Sequence, residues 1–185
     1  MSTAIYIIKA TKDWWEEKQV GRTDRTMNSN LKVYERLTSV KLTFDADLVM
    51  LMQFKVGEYF NPALPTQKIG LTHYVSRPGV SIPNAKVLNK LVLSRLAKST
   101  VDRILEAPHR VYTTKSMDES CLLREVFQAG GVDYQLLTTV RFKRDQIVGS
   151  LMVCWLNKPE VSFTEELLSD LDEERQTIAL ALTSR

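Results

Sequence analysis

Ten consecutive residues near the C-terminus, Ile147 to Leu156 (IVGSLMVCWL), carry no charge and are apolar toward both sides of a strand. Side chains alternate across a sheet, so Ile147, Gly149, Leu151, Val153 and Trp155 face one way and Val148, Ser150, Met152, Cys154 and Leu156 the other. A strand with one wet face alternates apolar with polar residues; this one needs cover on both. It follows a second apolar run, Tyr134 to Phe142, across the charged turn KRDQ. The pair reads as a hairpin placed centrally in an antiparallel sheet, with helices packed on its faces.

A polar turn, NKPEVS, leads into FTEELLSDLDEERQTIALALTSR. Glu165 and Glu166 fall in the first turn of a helix, where negative charge complements the dipole, and Thr164 is placed to cap it. Leu167, Leu171, Ile178 and Leu182 make one stripe, interrupted by Glu174 and Arg175 and widened by Leu168 and Leu180.

This tail resembles the end of a GAF domain, in which a V-G-x-L-x-L type strand is followed by F-T-x-E and a C-terminal helix. The matching residues are Val148, Gly149, Leu151, Val153, Phe163, Thr164, Glu165 and Glu166, then Gln176 and Ile178 to Leu182. The resemblance is specific over Tyr134 to Arg185 and returns from Asn28 to Phe54, where a helix leads into the strand D-A-D-L-V-M-L-M. It implies an α+β fold, a GAF-like α/β sandwich whose central antiparallel sheet carries helices on its faces.

Between these ends the pattern is punctuated by turns. Residues 1–26 read as an N-terminal appendage and linker, and residues 27–185 as the GAF-like domain. Asn28 or Asn30 can cap a helix ending near Asp45, with Leu31, Tyr34, Leu37 and either Val40 or Lys41 at helical spacing. Asp47 to Val56 reads as a strand with Leu48, Met50, Met52 and Phe54 on one face, and Gln67 to Val75 as another. A helix is expected from about Asn84 to Lys98, a strand over His109 to Thr114, and a helix from Asp118 or Ser120 to about Ala129.

A formal charge of +3 over 185 residues does not point to nucleic acid. The basic run Lys86, Lys90, Arg95, Lys98 lacks interleaved aromatics and reads as a solvated helix face. Cys121 and Cys154 lie far apart without metal-ligand spacing, as in a reducing compartment, and no apolar run reaches transmembrane length. A soluble, cytoplasmic protein is expected, with no metal and no cofactor. There is no G-x-S-x-G, P-loop, H-E-x-x-H or C-x-x-C motif, and His73 and His109 each lack a ligand at metal spacing, so both read as surface or half-buried residues.

The chemistries known on GAF domains fit poorly. Asn157, Lys158 and Phe163 match the first half of the N-K-x(n)-F-x3-D-E signature of cyclic-nucleotide binders, but Leu167 and Leu168 stand at its acidic positions. Bilin attachment needs a Cys followed by His, and Cys121 is followed by Leu122. Thiol-based sulfoxide reduction needs more cysteines than these.

Two kinds of function remain. The first expectation is a non-enzymatic regulatory or protein-interaction module that acts through a partner protein or self-association, as a homodimer or a subunit of a larger assembly. Ile5, Ile7, Ile8, Trp14 and Trp15 form an apolar group outside the domain's own sheet, and Leu171, Ile178 and Leu182 offer a second edge. The alternative is a small-molecule sensor. The resemblance then implies a pocket over the sheet, crossed by Phe54 to Thr72 and Leu105 to Glu119, with Phe54, Tyr112 and Phe127 as lining. With no output domain within these residues, such a sensor is expected to signal to a separate protein.

Overall fold

The computed structural model describes residues 24–55, 68–82, 85–89, 91–92, 110–142 and 146–183. A first helix, α1 (24–43), leads through Phe44–Asp47 into β1 (Leu48–Lys55). Then come β2 (Lys68–Ser76), the single turn α2 (Ala85–Leu88), the two-residue β3 (Leu91–Val92) and β4 (Arg110–Thr113). A 3-10 turn at Thr114–Ser116 precedes α3 (Leu122–Ala129), β5 (Tyr134–Phe142), β6 (Gln146–Trp155) and α4 (Glu165–Thr183).

The strands form one six-stranded sheet in the order β3-β2-β1-β6-β5-β4, and every described pairing is antiparallel. β6, uncharged on both faces, lies between β1 and β5 as its sequence requires. Met50, Met152 and Leu137 form one row across the middle of the sheet, and Leu51, Leu151 and Thr138 the next row on the opposite face. Gly149 is a position of close approach: a Cβ there would collide with the carbonyl oxygen of Met52 on the neighbouring strand.

Each face carries its own apolar layer. One holds Leu48, Met50, Met52, Leu137, Met152 and Cys154 under α2, α3 and the loop at Met117. The other holds Val49, Leu51, Leu136, Val140, Leu151, Val153 and Trp155 under α1 and α4. The fold is thus α+β, a central antiparallel sheet with helices on both faces.

The helices are fixed by specific contacts. Thr164 caps α4, its Oγ1 accepting from Leu167 N at 3.2 Å, and Arg175 Nη1 donates to the Thr139 carbonyl of β5 at 2.7 Å. At the α1–β1 corner Asp45 adopts a left-handed φ of 44°, a conformation that aspartate tolerates better than most residues. Arg77, just past β2, clasps this corner with contacts of 2.6 Å to Asp45 Oδ1 and 3.2 Å to Asp47 Oδ1. Asp47 Oδ2 also accepts from Leu156 N at 2.9 Å, so one carboxylate joins the ends of β2 and β6.

Five sequence expectations are corrected. The helix expected over 84–98 ends at Leu88, and Leu91 and Val92 instead pair with Ile69 and Lys68; residues 93–109 lie outside the described residues. The inner face of α1 is Val33, Leu37, Val40 and Phe44, whereas Leu31 and Tyr34 are exposed. Leu180 does not widen the buried stripe of α4, because it is 59% exposed while Ala179 and Ala181 turn inward. His73 is buried, its ring nitrogens 3.0 Å from Thr72 Oγ1 and 3.3 Å from Asn30 Oδ1, with the Tyr34 ring against its edge. α1 already runs at residues 24–26, which the sequence reading gave to the linker.

Candidate functional site

The layer over Leu48, Cys154 and Gln135 holds the polar groups that a buried apolar face does not need. Gln135 stands directly between Cys154 of β6 and Tyr112 of β4 in register, so all three side chains project from one face. Its carboxamide is fully buried. Nε2 donates to the thioether of Met117 at 2.9 Å, a weak acceptor, and Oε1 has no partner. An unsatisfied buried acceptor costs about 1–3 kcal/mol.

The surrounding frame is rigid. Thr114 Oγ1 donates to the Val132 carbonyl at 2.5 Å, Val132 N to Phe127 O at 2.9 Å, and Thr114 N to Asp133 O at 2.8 Å. These bonds lock the end of β4 to the turn after α3. Arg124 Nη1 donates to Met117 O at 3.0 Å and so holds the loop that presents the thioether. Asp118 accepts from the Ser120 amide at 2.9 Å and hydroxyl at 2.7 Å, and the Ser120 hydroxyl bond, then the amide bond, hold its carboxyl below the usual carboxylate range.

Both cysteines are fully buried in this layer, Cys121 at the N-cap of α3 and Cys154 in β6. Burial pushes the Cys154 thiol far above its ordinary range, so it stays protonated and is a poor nucleophile. Among the described residues no group of three or more His, Cys, Asp or Glu is placed to hold a metal ion.

The three proposed lining residues share this face but not one place on it. Phe127 is fully buried, and Tyr112 and Phe54 are half-buried against the same layer. Tyr112 stands in the row Leu48–Cys154–Gln135–Tyr112, whereas Phe54 lies at the far end of β1, opposite Ile69. Six residues of strand separate Leu48 from Phe54, about 20 Å at strand rise, and three strand spacings separate Leu48 from Tyr112. Tyr112 and Phe54 thus sit near opposite ends of the strands and three strands apart. Of the crossing segments, residues 56–67 and 105–109 lie outside the described residues.

The surface candidates divide as well. Leu171, Ile178 and Leu182 are at most 8% exposed, packed on the sheet, and therefore form no outer edge. Ile5, Ile7, Ile8, Trp14 and Trp15 lie outside the described residues. A cleft of about 190 Å³ opens between α1 and α4, lined among others by Arg36, Thr43, Asp170, Glu173 and Glu174. Arg36 and Glu174 bridge it at 3.7 Å. Sequence reasoning missed Gln135 and Met117, although a glutamine inside an apolar, doubly covered strand was the available signal. It also missed the outer face of α1, where Met27, Leu31, Tyr34 and Leu42 are 65%, 59%, 41% and 70% exposed.

No family model and no curated protein matches the sequence. Solved structures resemble it in fold. The GAF domain region of a Geobacter sulfurreducens PCA protein superposes with a TM-score of 0.60 at 17% identity, over 88% of this chain and 97% of that one. The phycoerythrobilin-bound GAF domain of a cyanobacterial phytochrome gives 0.60 at 15% identity, over 91% and 92%. A GAF domain/HD domain protein from Geobacter sulfurreducens gives 0.61 at 10%, over 85% and 94%. The sheet order, the helices on its two faces and these superpositions agree: this chain has the GAF fold.

Proposed function

We propose that this chain is a non-enzymatic regulatory module that acts by protein association, as a homodimer or a subunit of a larger assembly. The observation that carries the reading is the outer face of α1. Four large apolar side chains lie exposed along one helix whose other side is already committed to the core. The GAF fold, which the superposing Geobacter domains share, supports a regulatory or sensing role. No helix among the described residues is long and apolar enough to cross a membrane, and a cytoplasmic setting belongs to the same reading.

The second reading is a small-molecule sensor that signals to a separate protein. The unpartnered Gln135 Oε1 favours it, as does the bilin bound by a cyanobacterial neighbour of the same fold. Such a ligand would be held without the Cys-His pair of the sequence signature, because Leu122 follows Cys121.

Native mass spectrometry of the purified full chain separates the two. The association reading expects an oligomer without added mass. A monomer carrying a stoichiometric small molecule would replace it with the sensor.

A further inference from the structure

We propose that residues 5–15 of this chain fold back along the outer face of α1 and hold it in competition with a partner. The proposal rests on the association reading and adds the regulation of that face: association begins as the chain's own segment is displaced. Four of the six large apolar side chains exposed among the described residues, Met27, Leu31, Tyr34 and Leu42, belong to α1. Val33, Leu37, Val40 and Phe44 are committed to the core on its other side. Tyr34 rests edge-on against the His73 ring of β2, and so forms one wall of the stripe rather than its crest.

The chain itself carries the apolar complement. Residues 1–23 lie outside the described residues, and their sequence holds Ile5, Tyr6, Ile7, Ile8, Trp14 and Trp15, with two of the chain's three tryptophans. Asp24, Met27 and Leu31 follow one another at spacings of three and four within α1. The preceding residues therefore join the helix on the side that bears the stripe. Met27 and Leu42 lie about 22 Å apart along the helix, while Ile5 to Trp15 measures about 15 Å if helical and about 33 Å if extended. Gly21, in the polar stretch between Trp15 and Asp24, permits a chain reversal, so the segment reaches along the stripe in either form.

Tethering decides which occupant wins. A second molecule meets this face at its bulk concentration, whereas a segment joined through about eight residues is present at an effective concentration in the millimolar range. A partner of equal intrinsic affinity at micromolar concentration loses to it by about a thousandfold. A partner prevails by binding more tightly or at higher concentration, and the segment thereby sets the threshold for association.

The test is thiol labelling of the full chain at two introduced positions. Leu31→Cys on α1 and Leu180→Cys on α4 report on side chains of equal exposure, 59% each. The native cysteines are buried and do not compete. The thiol at position 31 should react roughly tenfold or more slowly than the one at position 180, at a rate independent of protein concentration. Trp14→Ser combined with Trp15→Ser should bring the two rates together and let the chain associate at lower concentration in sedimentation, because aromatic anchors dominate such contacts. Continued protection of Cys121 and Cys154 verifies that each variant is folded. Should the tryptophan variant unfold, both native thiols label, and the rates at positions 31 and 180 in the otherwise native chain, over a dilution series, decide alone.

Equal rates at the two positions in the otherwise native chain overturn the proposal, and so does slow labelling at position 31 that survives the tryptophan substitutions. Protection at position 31 that vanishes on dilution assigns the cover to a second molecule, overturns the fold-back and leaves the association reading intact. Protection in a chain that is monomeric with and without the two tryptophans supports the fold-back and overturns self-association, the reading on which the competition rests.

Discussion

The indole Nε1 of Trp155 donates to the main-chain carbonyl of Phe44 at 3.1 Å, joining positions 111 residues apart. The bond ties the end of β6 to the end of α1 at the point where the chain enters the sheet. Phe163 packs against both partners, its ring centroid 6.1 Å from Phe44 and 6.0 Å from Trp155, edge-on to the indole. One tryptophan thus orients the helix before β1, the final strand and the approach to α4.

Trp155→Phe removes the donor and leaves the Phe44 carbonyl buried without it. A loss of about 1–3 kcal/mol is expected, read as a lower urea midpoint at unchanged slope. An unchanged midpoint would mean that water satisfies the carbonyl and the corner is not sealed.

Leu151→Asp places a carboxylate in the centre of the sheet, opposite Leu51 and Thr138 and beneath the helices. Leu151 is fully buried, so the charge has no water and no counter-ion there. The cost is several kcal/mol, enough to unfold a domain of ordinary stability. A variant that melts as the parent does would disprove this placement.

The Cys154 thiol should resist modification in the folded protein near neutral pH and react once the chain is denatured. Its ionisation is suppressed by burial, so the folded state holds the proton where the unfolded chain releases it. Stability is then fully present below the ordinary thiol range and falls as pH rises through it. Rapid labelling of Cys154 under native conditions, located by peptide mapping, would show that the layer over β6 opens readily.

How much of this was legible follows from what each residue reports. Ile147 to Leu156 announced a doubly covered strand because its pattern has no polar side, and β6 is central. Thr164 and Glu165 marked the start of α4 through local capping chemistry, which needs no tertiary information. The pattern around Leu88 and Leu91 could not separate a longer helix from a turn followed by a strand. Short apolar runs fit either period, and pairing with Ile69 is a non-local fact. α1 failed differently: it carries two apolar stripes, and periodicity alone does not say which enters the core. Gln135 and Met117 are far apart in sequence terms of motif, and only the sheet and the loop after β4 bring them together.

Gln135→Met distinguishes a polar group kept for a ligand from one that is merely tolerated. The substitution conserves length and removes the unpartnered Oε1, while the bond that it sacrifices is one to a thioether. In the ligand-free association module the variant should gain about 1 kcal/mol in a urea titration, because an unpaired buried acceptor has been replaced by an apolar group of similar shape. A sensor loaded with its ligand predicts the reverse. The carboxamide oxygen would then accept a bond from the ligand, and the variant would melt lower than the loaded parent by the binding energy lost. Thermal melting of parent and variant, each before and after denaturation and refolding to strip any retained molecule, reads both cases. Stabilisation that is independent of stripping fits the association module. A parent that loses stability on stripping, and a variant that does not, would assign Gln135 to a ligand.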